Sequence, residues 1–95
     1  TSVKERIKIN NINRENIMTN IEKYLNVFTE TFGITADETK DLKYQSIEAW
    51  DSVGHMGLVA NIEDSFEIMF DADDIIDFSS FRKGIEILRK YNIEL

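Results

Sequence analysis

The apolar positions of this chain fall into helical stretches separated by polar and acidic segments. The first stretch begins at Thr19. Thr19-Asn20-Ile21-Glu22 has the form of a capping box, with the threonine as N-cap and the glutamate reaching back to it. Ile21, Tyr24, Leu25, Phe28 and Phe32 then recur on one helical face. Gly33 suits the left-handed residue that closes a helix. The pattern predicts a helix over 19–32. A start at Asn13 is the alternative and would lengthen it. Upstream, Asn10, Asn11, Asn13 and Asn16 interrupt any apolar period. Residues 1–18 therefore read as a leader and 19–95 as the folded domain. Met18 fits an initiator methionine, which would make 1–17 an upstream extension.

Residues 33–51 read as a long polar loop with apolar anchors at Ile34, Leu42, Ile47 and Trp50. Thr35-Ala36-Asp37-Glu38 is suited to cap a short turn within it. A loop this long in a small domain tends to be functional. A second helix follows over about 52–66, with Asp51 as N-cap. The segment 67–78 is acidic, and Ile75-Ile76 predicts a short helix near 72–76. Ser79 or Ser80 can cap the last helix, whose buried stripe is Phe81, Ile85 and Leu88. Arg89 and Lys90 match the negative end of its dipole. No segment alternates with a period of two. The expected fold is all-α, a small bundle of three main helices plus one short helix.

Composition narrows the function classes. The 42% of hydrophobic residues suffices for one modest core, and there is no cysteine for a disulfide or a thiolate metal site. The longest apolar runs are too short to span a membrane, and no secretory signal is legible. A cytoplasmic monomer is the default. Residues 1–17 carry four basic and two acidic side chains, a net of +2. Residues 18–95 carry seven basic and sixteen acidic ones, a net of −9. An acidic body argues against nucleic acid and favours basic protein partners.

The second helix has two faces. His55, Leu58, Val59, Ile62 and Phe66 share one broad side, the core side. Val53, Met56 and Ala60 fall opposite, flanked by Glu63 and Asp64. Three apolar residues at helical spacing, rimmed by acid, suggest a docking surface. The competing reading is that the loop or the short helix folds over them. Gly54 and Gly57 lie toward this outer side. Each costs about 1 kcal/mol of helix propensity relative to alanine. Either their small size lets a partner approach the backbone, or they are merely tolerated.

Ser52 stands at the start of this helix, where a phosphate is favoured. As a nucleophile it lacks support. His55 is three residues away, but it leans to the core side and reads as a packed, hydrogen-bonded histidine. A triad also needs a third group and an oxyanion hole. Metal readings fail too. With Asp71 as the first position of a calcium loop, Ile76 stands where glycine is needed and Arg82 where the bidentate glutamate belongs. One histidine without cysteine makes no typical zinc site. No metal site and no catalytic residues are expected. Ser52 reads as a point of attachment.

Trp50 to Phe66, WDSVGHMGLVANIEDSF, resembles the signature of the acyl carrier proteins. That family carries Asp-Ser-Leu, often with Met or Val third, at the start of its second helix. It has apolar residues where Leu58, Val59, Ile62 and Phe66 stand, and acid at Glu63 and Asp64. With the long first loop, the acidic short helix and the apolar last helix, the likeness covers about 19–92. It implies a carrier, not an enzyme. A phosphopantetheinyl transferase would attach 4′-phosphopantetheine from coenzyme A to Ser52. Asp51 would cap the helix and help the transferase place its magnesium. The arm would hold acyl intermediates as thioesters, as in fatty-acid and polyketide biosynthesis. Acyl-loading and acyl-transferring enzymes would dock through basic surfaces on Val53, Met56, Ala60, Glu63 and Asp64. Where relatives take the acyl chain into the bundle, Phe28, Val59, Ile62 and Phe66 would line its path. The fatty-acid type has acid two and five residues after the serine, where this chain has Gly54 and Gly57. It also has a small residue where Trp50 stands. These departures point to a dedicated carrier for one pathway. An aminoacyl or peptidyl carrier, or an unmodified acidic interaction module, are the alternatives.

Overall fold

The computed structural model describes residues 18–95, so the reading of 1–18 as a leader falls, except for Met18, outside the described residues. Thr19 has extended backbone. Its hydroxyl accepts from the Glu22 N–H (3.2 Å), and the Glu22 carboxylate accepts from the Thr19 N–H (2.9 Å). This capping box starts α1, Asn20–Phe32, and so decides against a start at Asn13. Gly33, at φ 65°, closes the helix in the left-handed conformation that glycine adopts without strain. The Thr35–Glu38 signal forms a short 3-10 turn, Ala36–Glu38, again with the glutamate bonded back to its cap.

Asp51 caps α2, Ser52–Phe66, by accepting from the Gly54 N–H at 2.8 Å. Glu67 ends it in a left-handed conformation, and the Glu63 carboxylate accepts from the Phe70 N–H in the following turn. The acidic segment folds as α3, Ala72–Asp77. Ser80 then caps α4, Phe81–Lys90, through the Lys83 N–H. The fold is a small all-α bundle, three main helices and a short one, with no strand among the described residues. No helix among them is long and apolar enough to cross a membrane.

The core is aromatic. Phe28 lies at its centre, with the rings of Tyr24, Trp50, Phe78 and Phe81 between 5.0 and 6.3 Å away. Two of the loop anchors, Leu42 and Trp50, are fully part of it, while Ile34 and Ile47 pack half-buried at its edge. Tyr24 donates from its hydroxyl to the Phe81 carbonyl at 2.6 Å, and burial pushes that phenol well above its usual pKa.

The buried stripe of α4 differs from the sequence reading. Phe81, Gly84, Ile87 and Leu88 are buried, and Ile85 is only half-buried. The cause is Gly84, where a Cβ would stand 2.0 Å from the Tyr24 hydroxyl and 2.2 Å from the Phe78 ring. This close approach turns α4 so that Ile87 faces inward. Val27 in α1, and Phe70 and Phe78 on either side of α3, are likewise buried beyond the predicted set.

A carboxylate ties α3 to the end of α4. Asp74 is only 4% exposed, and it accepts from Lys90 and from the Tyr91 hydroxyl, each at 2.6 Å. The Tyr91 oxygen in turn accepts from the Asp71 N–H (2.9 Å). The hydrogen bonds from Lys90 and then Tyr91 hold the Asp74 carboxyl below the usual aspartate range. A depressed carboxylate contributes stability that is complete above the unfolded value of about 3.9 and is lost as pH falls through the lower folded value. Asp74→Asn should therefore lower the melting temperature at pH 7 and flatten its decline as pH falls below about 4. Melting temperature against pH for both proteins checks this; parallel curves would refute it.

Candidate functional site

Ser52 is the first residue of α2 and is exposed. Asp51, beside it, is occupied as the helix cap. The loop before α2 places a second hydroxyl next to the serine. Tyr44 Oη lies 3.2 Å from Ser52 Oγ. What holds Tyr44 there is a strap between the loop and the start of α4. The Tyr44 N–H donates to the Ser79 carbonyl (2.9 Å), and the Phe81 N–H donates to the Leu42 carbonyl (3.0 Å), making an antiparallel bridge between Lys43 and Ser80. Gln45, at φ 66°, turns the chain back, and its N–H closes on the Trp50 carbonyl at 2.9 Å.

His55 lies one turn along α2, and both of its ring nitrogens are engaged. Trp50 Nε1–H donates to His55 Nδ1 at 2.9 Å, because an indole can only donate. Nδ1 is thus the acceptor, so Nε2 carries the proton and donates to the Ile75 carbonyl at 2.8 Å. The ring stacks on Trp50 and meets Phe78 edge-on. His55 is the packed, bonded histidine of the sequence reading, and neither nitrogen is free to take a proton from Ser52.

Between α2 and α3 a groove of about 380 Å³ opens beside the serine. Its walls are Tyr44, Met56, Ile75 and Ile76, its floor is His55 and Phe78, and Ser52 stands at its edge. Phe28, Val59, Ile62 and Phe66, expected to line an acyl path, are not among the residues that line it. Phe28, Val59 and Ile62 are closed into the core and Phe66 is half-buried.

The outer face of α2 stays open. Val53 is 80% exposed and Met56 56%, and Ala60 and Asp64 are also exposed. Neither the loop nor α3 folds over this patch. Ile76, 77% exposed, extends it across the groove. Glu63 is half-buried, with one oxygen committed to Phe70. The two glycines part company here. A Cβ on Gly54 would stand 1.9 Å from the Ala49 carbonyl oxygen, so Gly54 serves the close approach of this chain's own loop. A Cβ on Gly57 would meet nothing within 4 Å.

Within the segment tested as a calcium loop from Asp71, Asp74 turns inward to Lys90 and Tyr91. No group of three or more potential metal-ligating side chains gathers among the described residues. Sequence reasoning missed Tyr44 and Phe78 as parts of the site. Their signal was present, an aromatic among the polar residues of the loop and another closing an acidic segment. Comparison with protein-family models, with curated proteins and with solved structures gives no match to this chain.

Proposed function

We propose that this protein is an acyl carrier, modified on Ser52 with 4′-phosphopantetheine. The observation that carries the reading is the setting of Ser52: an exposed hydroxyl on the first turn of α2, at the edge of an apolar groove and beside an open apolar–acidic helix face. The residues present fit the group. The N-terminus of α2 favours a phosphodiester. The Tyr44 hydroxyl, already within reach of Ser52 Oγ, is a ready donor to a phosphate oxygen there. The groove offers apolar cover to whatever is tethered at its edge.

In the attachment reaction Ser52 Oγ bonds to the phosphorus that bears pantetheine in coenzyme A. The bond from that phosphorus to the bridging pyrophosphate oxygen breaks, adenosine 3′,5′-bisphosphate leaves, and the serine proton passes to a base of the transferase. The arm supplies a terminal thiol, which lets a chain without cysteine hold acyl groups as thioesters. Val53, Met56, Ala60 and Asp64, with the remaining acceptor capacity of Glu63, form the face that basic partner enzymes would meet. Trp50 and Gly54 belong to the folding of this chain's own loop.

The test is the intact mass after co-expression with a broad-specificity phosphopantetheinyl transferase. The expected result is the mass of one added phosphopantetheine on the wild type and none on Ser52→Ala. An unmodified wild type, or equal addition to Ser52→Ala, would overturn the reading in favour of an acidic interaction module.

A further inference from the structure

We propose that His55 is a specificity-determining residue: it closes the floor of the groove beside Ser52, so that the groove accepts a short apolar acyl group and long chains are kept out of the core. This rests on the reading that Ser52 bears the arm. Three observations carry it.

First, His55 spans the gap between α2 and α3. It accepts from Trp50 on one side and donates to the Ile75 carbonyl on the other. A chain entering between these helices must break the bond to Ile75. That leaves a part-buried carbonyl and ring N–H facing the apolar chain in place of each other, which is disfavoured. Second, the floor beside His55 is already filled. Phe78 meets His55 edge-on and packs on Tyr24, Phe28 and Phe70. Protein interiors at native density have no spare room for several methylenes. Third, the groove is small. At about 380 Å³ it stands near the low end of small-molecule sites, which run from about 300 to 1,000 Å³. The part of the arm nearest Ser52 takes some of that space. A short acyl group can share the remainder, and a long one has no continuation into the core.

The absence of cysteine gives a direct test that does not depend on the transferase. Ser52→Cys introduces a single thiol, to which methyl, butyl and dodecyl chains are joined as mixed disulfides. The melting temperature and the NMR resonance of the Trp50 indole N–H are the readouts. The expected result is a rise of about 5 °C for butyl over methyl, from burial of a methylene or two in a domain of this size. Dodecyl should add nothing further and leave the indole resonance unmoved. In His55→Ala the dodecyl adduct should gain stability over butyl and shift that resonance. Met56→Trp, at an exposed wall of the groove, should abolish the butyl gain while leaving the fold intact.

A dodecyl gain with a moved indole in the His55 protein would overturn the proposal. So would no butyl gain, a butyl gain that survives Met56→Trp, or a folded His55→Ala that still excludes dodecyl. If His55→Ala does not fold, the other arms decide. Failure of Ser52 to take up phosphopantetheine would refute the carrier reading while leaving this measurement on the groove intact.

Discussion

Trp50→Ala is expected to destabilise the domain by about 4 kcal/mol, within the range found for truncating a buried tryptophan or phenylalanine. The indole is fully buried although it belongs to a loop. It stacks on Phe32 at 5.5 Å and on His55 at 6.1 Å, and meets Phe28 edge-on at 5.6 Å. Truncation removes those contacts, leaves a cavity between α1 and α2, and strips His55 Nδ1 of its donor. Small domains have total stabilities of about 5–15 kcal/mol, so this one change consumes much of the margin. Denaturant unfolding followed by circular dichroism gives the number. Trp50→Phe separates the two contributions. It keeps most of the apolar filling and loses the hydrogen bond, for a smaller loss of about 1–2 kcal/mol. A loss below about 1 kcal/mol for Trp50→Ala would mean that the loop is not anchored by this ring.

Gly84→Ala is the second large effect. In a helix, alanine is normally better than glycine by about 1 kcal/mol. Here the added methyl would collide with the Tyr24 hydroxyl and the Phe78 ring, both buried. Moving Tyr24 also strains its bond to the Phe81 carbonyl. Overpacking of this kind costs about 1–3 kcal/mol and sometimes more; contacts as close as these fall at the upper end, so after the propensity gain the net expectation is a loss of up to about 2 kcal/mol. Gly57→Ala is the control, since its methyl meets open space. It should stabilise by up to about 1 kcal/mol. Equal effects of the two substitutions on the denaturation midpoint would show that propensity, not packing, governs Gly84.

These two residues also show what the sequence made legible. Helix positions were readable because caps act over three residues. The Thr19–Glu22 box, Asp51 with Gly54, and Ser80 with Lys83 are each complete within one turn. The outward apolar face of α2 was readable for the same reason, since helical geometry alone places Val53, Met56 and Ala60 together. The inward face of α4 was not. Whether Ile85 or Ile87 is buried depends on how closely α4 approaches Tyr24 and Phe78, a tertiary distance set at Gly84. The groove was hidden on similar grounds. Tyr44 reaches Ser52 only because residues distant in sequence hold the loop, and His55 becomes a floor only when α3 brings the Ile75 carbonyl to it.

The strap between Lys43 and Ser80 has a consequence for the order of events during synthesis. The loop that carries Tyr44 is bonded to Ser79 and Phe81, and Trp50 is locked by a histidine whose other bond runs to α3. Closing so long a span requires its ends to meet first, and that entropic cost is met only when the final helix docks. A nascent chain emerging from the ribosome can form α1 and α2 early. The surroundings of Ser52 take their final form only after residues 79–81 are outside the exit tunnel. Ser52 therefore has these surroundings only in chains folded through residues 79–81.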